Sequence, residues 1–246
     1  MIEVIKKQEQ AYGEFNGGEI IENKPIGFPK EGGKIKPYSN IFYWAHAKAE
    51  KESTIGLHPH KGFEIISFVL SGSIKHYDTL LKKWINLNKG DIQVIKSGSG
   101  ISHSEALNDK SSIFQIWFDP DLNKSLNKPA KYQDYTKDLF KSINGKKELI
   151  GKNSIQIDSE GVEVYEIEIE IENKEYKIEI KEGKTYSLYI IYGELSINTQ
   201  SLKQDDFIII TKEKELCFNS NIKAKIFCIE TDTELTYKSY YETYMK

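Results

Sequence analysis

Five histidines, His46, His58, His60, His76 and His103, fall in the first half of the chain, and the second half has none. Two of them form the segment His58-Pro59-His60, and another opens the segment His103-Ser104-Glu105. Residues i and i+2 of an extended strand face the same side, about 6–7 Å apart. Each pair can therefore aim both of its side chains into one interior. Two such pairs on neighbouring strands place three imidazole nitrogens and one carboxylate oxygen around a point. That donor set suits a divalent first-row metal, whether iron, manganese, nickel, copper or zinc, because each accepts neutral imidazole together with a harder oxygen. Four protein ligands on a six-coordinate ion leave positions open for substrate and dioxygen. Glu64 has the same strand parity as His58 and His60 and competes with Glu105 for the fourth place; spacing alone does not choose between them. His46 and His76 are expected to be structural or exposed. Trp44, Trp84 and Trp117 are expected in the core or along a pocket. The Ser97-Gly98-Ser99-Gly100 loop lacks the Lys-Ser/Thr and the helix start that a phosphate cradle needs.

The elements that must position these residues read as short strands. NIFYWAHAKA, GFEIISFVL, SIKHYDTL, DIQVIK and SIFQIWF are β-branched or aromatic and bounded by turn residues. Ser71-Gly72 reads as a tight hairpin turn, and Lys89-Gly90-Asp91 as a turn before a strand. Residues 119–153 are polar, rich in Asn and Lys, and contain Pro120 and Pro129, which marks a connector with a helical turn around Tyr135 to Ser142. Strands resume with VEVYEIEIEIE, YKIEI, YSLYIIYGELSI, DFIIIT, ELCFN and AKIFCIE. Ile and Glu alternate strictly from Ile167 to Glu172, giving one dry and one wet face. Val162 and Val164 have the opposite parity, so a bulge or break is expected near Tyr165. YSLYIIYGELSI…DFIIIT echoes FEIISFVLSGSIKHY…DIQVIK, the mark of a diverged internal duplication of one β-barrel unit. The copy in the second half carries no imidazole, so no metal is expected there.

The 246 residues, 39% of them hydrophobic, suffice for one large all-β domain or two ordinary ones. No run of 18 apolar residues offers a membrane span, and the opening MIEVIKKQEQAYGE has no apolar leader, so a cytoplasmic location is expected. Net charge is −3, which excludes a generally basic, phosphate-seeking surface. There is no Arg for bidentate base or phosphate recognition, and no direct nucleic-acid binding is expected. Residues 1–150 hold 22 Lys against 18 acids and residues 151–246 hold 12 against 19, a split of +4 and −7. Cys217 and Cys228 read as two buried thiols rather than a disulfide.

HPHKGFEIISFVLSGSIKHYDTL, GDIQVIKSGSGISHSE, FQIWFDP and PAKYQDY, in that order from about Gly27 to Tyr135, resemble the pirin family of bicupins within the cupin superfamily. The family has Arg where this chain has Lys61. The resemblance implies an all-β fold of two antiparallel, jelly-roll-like β-barrels with few short helices. It places a metal-binding cupin domain at 1–135, a connector at 136–153 and a diverged cupin domain without metal ligands at 154–246. It implies His58, His60, His103 and Glu105 as ligands of one divalent metal, expected to be iron, and so favours Glu105 over Glu64. Several bacterial pirins are similar to quercetin 2,3-dioxygenases, which open the flavonol central ring with O2 and release carbon monoxide. On that resemblance the substrates are a flavonol-like aromatic and O2, and Glu105 is both ligand and catalytic base. The alternative is an iron-binding redox sensor that acts through a regulatory protein partner. A cupin sugar isomerase is disfavoured, because few side chains here could bind a sugar. A monomer is expected.

Overall fold

The computed structural model describes residues 1–170, 175–197 and 200–246. In chain order the strands are β1 (Ile2–Ile5), β2 (Ala11–Phe15), β3 (Ile20–Ile26), β4 (Ile41–Ala49), β5 (Ser53–His60), β6 (Glu64–Ser71), β7 (Ser73–Asp78), β8 (Trp84–Asn88), β9 (Ile92–Lys96), β10 (Ile101–Leu107), β11 (Ser112–Phe118) and β12 (Lys131–Tyr135). They continue with β13 (Ser142–Ile143), β14 (Lys146–Ile150), β15 (Glu163–Ile169), β16 (Tyr176–Glu179), β17 (Lys184–Tyr192), β18 (Glu194–Ile197), β19 (Gln200–Lys203), β20 (Phe207–Thr211), β21 (Glu215–Asn219) and β22 (Ala224–Asp232). Among the described residues two short α-helices, α1 (Leu122–Ser125) and α2 (Tyr240–Tyr244), accompany the strands. No helix among the described residues is long and apolar enough to cross a membrane.

The chain forms two compact units. One comprises Gln10–Leu139 with Thr236–Lys246, the other Met1–Glu9 with Phe140–Leu235. The first unit pairs a seven-stranded sheet, β12-β9-β6-β11-β4-β3-β2, with a four-stranded sheet, β5-β10-β7-β8. The second repeats the plan with β1-β20-β17-β22-β15-β14-β13 and β16-β21-β18-β19. Among the described residues every strand pairing is antiparallel, so each unit is the expected jelly-roll bicupin half, built as two facing sheets whose ladders do not close into a continuous barrel among those residues. The matching strand orders bear out the duplication read from the sequence.

These units differ from the expected 1–135, 136–153 and 154–246. β1 takes, at the edge of the second unit's larger sheet, the place that β12 holds in the first, with Ile2 to Ile5 in register with Ile210 to Phe207. Residues 236–246 fold onto the first unit. The stretch expected as a connector holds β13 and β14, paired onward to β15. A 3-10 turn at Lys137–Leu139 meets the expected helical turn.

Three local expectations change. β6 and β7 do not pair, because Gly72 is a corner that carries the chain from the larger sheet to the smaller rather than a hairpin. Its φ is +66°, and a Cβ there would collide with Ser111, so glycine is needed twice over. β15 runs unbroken past Tyr165, and the irregularity lies in its partner β14, between Glu148 and Ile150. Ile171 and Glu172, the end of the alternation, lie outside the described residues. Trp84 is 48% exposed and packs beside Tyr77, so only Trp44 is core and Trp117 lines the pocket. Both thiols are free, Cys228 buried and Cys217 half-buried.

Candidate metal centre

The site lies in the first unit. β5 and β10 are antiparallel neighbours in the smaller sheet, with His103 opposite His58 and Ile101 opposite His60. The i, i+2 spacing therefore brings His58, His60 and His103 together as expected. One ligand-type nitrogen of each lies within 4.8 Å of the others. Ring centroids stand 4.8 Å apart for His58–His60, 4.4 Å for His58–His103 and 4.7 Å for His60–His103.

The donor chemistry fits a metal. His60 Nε2 and His103 Nε2 are 2.9 Å apart. Adjacent ligands on an octahedral ion with bonds of about 2.1 Å stand about 3.0 Å apart. Burial, followed by the neighbouring imidazoles, pushes His60 and His103 down to about 3, so both rings are neutral at ordinary pH with lone pairs free for a cation. His58 Nδ1 is 2.8 Å from the Gly56 carbonyl. A carbonyl only accepts, so that nitrogen carries the proton and Nε2 is left as the ligand atom.

Glu105 is two residues beyond His103, past a register shift in the β5 ladder. Its carboxylate is held by a row of side chains on the opposite sheet. Gln93, Ser67 and Gln115 lie side by side on β9, β6 and β11. Gln93 Nε2 and Ser67 Oγ donate to Oε1 at 2.8 and 3.1 Å, and Gln115 Nε2 donates to Oε2 at 2.5 Å. Trp117 Nε1 donates to Gln115 Oε1 at 3.2 Å, which fixes which end of that amide faces the carboxylate. Glu105 lies in a second grouping with His76 and His103, again within 4.8 Å of one another. His76 is buried and structural: its Nε2 is 2.8 Å from Asp78 Oδ2 and its ring stacks on Tyr132. His46 is also buried, edge-on to Phe114.

Glu64 is not at the site. β5 and β6 belong to different sheets, and the chain turns between them at Gly62, where φ is +87°. Strand parity counted across such a corner does not carry over. Glu64 is buried beside Lys96, 3.4 Å away, and does not line the cavity.

That cavity, about 470 Å³, is lined by His58 and His60. Phe28, Tyr43, Ile55, Ile113 and Trp117 supply apolar wall. Phe28 stacks on Tyr43 at 4.6 Å and meets Trp117 edge-on at 5.3 Å, while Trp117 stands edge-on to His60 at 4.7 Å. Leu57 at the rim is 57% exposed. Glu22 also lines the cavity and had no place in the sequence reading. The available signal was IIENKPI, in which Glu22 and Lys24 share the face of Ile20 and Ile26, a charged pair on a buried stripe. Burial raises the Glu22 carboxyl above its usual range, against the pull of Lys24 and the Tyr43 hydroxyl, and burial likewise raises Tyr43.

Fold and site together define a bicupin with one histidine-bearing unit. The pirin family profile matches residues 26–118, and the profile described as quercetinase C-terminal cupin domain matches residues 150–231. The chain belongs to the pirin family. It is similar to the quercetin 2,3-dioxygenase of Escherichia coli K12, 22% identical over 182 residues, 71% of this chain and 75% of that one. A Zymomonas mobilis relative is 37% identical over 89 residues, which span only 35% of this chain and 37% of that protein. The crystal structure of YhhW from Escherichia coli superposes with a TM-score of 0.81 at 19% identity, over 96% of this chain and all of that one, and its nickel(II) complex does so at 0.79.

Proposed function

We propose that the chain is a metal-dependent dioxygenase of the quercetin 2,3-dioxygenase type, acting on a flavonol-like aromatic with O2. The observation that carries the reading is the convergence of His58, His60 and His103, with His58, His60 and Glu105 lining a largely apolar cavity of about 470 Å³. Ligand sites commonly have this size and lining, with a few convergent polar groups. The names of the Escherichia coli and other relatives support the same activity.

In this reading His58, His60 and His103 hold one divalent metal, with Glu105 as fourth donor. Iron is the proposed resident, and the nickel(II) bound by Escherichia coli pirin marks an alternative. A metal there would supply Lewis-acid and redox chemistry at the cavity floor. The chain's own residues do the rest. Glu105 takes the proton of the flavonol 3-hydroxyl, and the Gln93, Ser67 and Gln115 donors hold its carboxylate in one orientation for that transfer. The Gly56 carbonyl holds His58 in the ligating tautomer. Phe28 and Trp117 form walls that accept a planar ring and keep water out.

The test is anaerobic purification, metal stoichiometry by mass spectrometry and O2 uptake with flavonols. His103→Ala is expected to lose the metal. Glu64→Gln is expected to keep metal and turnover, and Glu105→Gln to keep metal while turnover falls about 100-fold or more. If Glu64→Gln empties the site and Glu105→Gln does not, the carboxylate is misassigned. If the metal-loaded wild type consumes no O2 with any flavonol, the dioxygenase reading fails and a redox sensor with a protein partner takes its place.

A further inference from the structure

The polar side chains lining the cavity fall into two groups. His58, His60, Glu105 and Gln115 belong to the metal centre, which leaves Glu22 with the Tyr43 hydroxyl. Glu22 is on β3 and only 4% exposed. Tyr43 donates to its Oε1 at 3.0 Å. Lys24 Nζ balances the charge 3.1 Å from Oε2, an ion pair whose angle falls short of a full hydrogen bond. Buried carboxylate oxygens normally accept hydrogen bonds, and an unfilled one is costly. Glu22 pairs with Ala47 on β4, which pairs with Ile113 on β11, so it stands two strands across the sheet from the strand of Gln115. Two strand spacings are about 10 Å, close to the length of a two- to three-ring aromatic. Between the two polar ends the wall is Phe28, Tyr43 and Ala47.

We propose that Glu22, braced by Tyr43, determines specificity by accepting a hydrogen bond from a hydroxyl on the end of the substrate remote from the histidines. The substrate class is then a planar aromatic hydroxylated at both ends. Which end of the ligand meets the histidines rests on the dioxygenase reading; the presence of the anchor does not. A purely structural Glu22–Lys24 pair would serve the fold and leave ligand preference untouched.

The experiment is anaerobic equilibrium binding to the metal-loaded full chain, read by the flavonol absorption band. The probes are quercetin, galangin and 3-hydroxyflavone, which lose remote hydroxyls stepwise and keep the 3-hydroxy-4-keto end. Wild type is expected to bind quercetin about tenfold or more tighter than 3-hydroxyflavone, the worth of a hydrogen bond to a charged acceptor. Glu22→Gln is expected to compress that ratio to about threefold or less while the 3-hydroxyflavone Kd stays unchanged. Tyr43→Phe is expected to fall between. A wild type that does not discriminate, or a Glu22→Gln variant that weakens all three ligands equally, overturns the proposal. If none of the three binds wild type, the flavonol reading fails and the anchor is judged with 2-naphthol against naphthalene. A preference for 2-naphthol that Glu22→Gln abolishes sustains the anchor, and no such preference overturns it as well.

Discussion

The C-terminal segment 236–246 is tied to the first unit through one buried carboxylate, and that tie is expected to weaken as pH rises. Asp119 follows β11 and is 1% exposed. Its Oδ2 accepts the Tyr240 N–H, its backbone carbonyl accepts the Tyr237 hydroxyl at 2.6 Å, and its Oδ1 has no partner. The Tyr240 ring packs edge-on to Phe42 and Phe63, both at 5.4 Å. Burial, with Glu242 adding like charge and the Tyr240 N–H opposing both, pushes Asp119 up from 3.8 to about 7. A pKa raised on docking means that docking favours the protonated acid. The benefit is full below the undocked value near 4 and is lost as pH climbs through about 7. Linkage between values of 3.8 and about 7 gives a loss of about 2.5 kcal/mol between pH 5 and pH 8, roughly 70-fold in the docking equilibrium. Amide hydrogen exchange of residues 236–246, corrected for the intrinsic pH dependence of exchange, measures it. Asp119→Asn keeps an acceptor for Tyr240 and removes the charge, so its protection should be flat over that range and exceed wild type at pH 8. Equal slopes for wild type and Asp119→Asn would refute the reasoning.

Two further outcomes test the scaffold of the site. Gly72→Ala places a Cβ at φ +66° against Ser111, which should cost about 2–4 kcal/mol in urea unfolding followed by tryptophan fluorescence; a loss below about 1 kcal/mol would mean the corner relaxes freely. Gln115→Leu deletes the donor to Glu105 Oε2 and the acceptor of Trp117 Nε1, leaving one buried and one part-buried group short of partners; stability should fall by about 1–3 kcal/mol with metal content retained, and loss of the metal instead would make Gln115 essential to ligand geometry.

What the sequence disclosed follows from range. A period of two is a local property, so His58, His60, His103 and Glu105 were legible as two same-facing pairs, and β5 and β10 are the neighbours that unite the histidines. Parity stops being informative at a corner. Glu64 was a rival only because Gly62 and Gly72, which carry the chain between sheets, look in sequence like ordinary turn residues. The Gln93–Ser67–Gln115 row was illegible for another reason: its members are separated by strand crossings, and only the ladder register sets them side by side. β1 was read as part of the first domain because edge pairing with Phe207–Ile210 spans some 200 residues and leaves no local mark.

The second unit separates the fold from the chemistry. In the shared strand order, β16 and β21 take the places of β5 and β10. Where the first unit has imidazoles and a carboxylate, these strands carry Tyr176, Ile178, Leu216 and Phe218, and Tyr176 lies parallel to Phe218 at 5.9 Å. Leu216 and Phe218 are buried in one continuous core with Leu188, Leu195, Ile208 and Ile226. In the first unit Ser67, Gln93, His103 and Glu105 are buried outside the apolar clusters built around Val69 and Leu107 and around Phe42 and Ile65. Filling the interior with side chains contributes burial at about 25 cal/mol per Å², whereas keeping it polar and hollow forfeits that and requires every donor and acceptor to be matched. One copy of the duplicated sandwich keeps polar side chains inside where His58, His60 and His103 meet. The other fills the equivalent strands with apolar side chains.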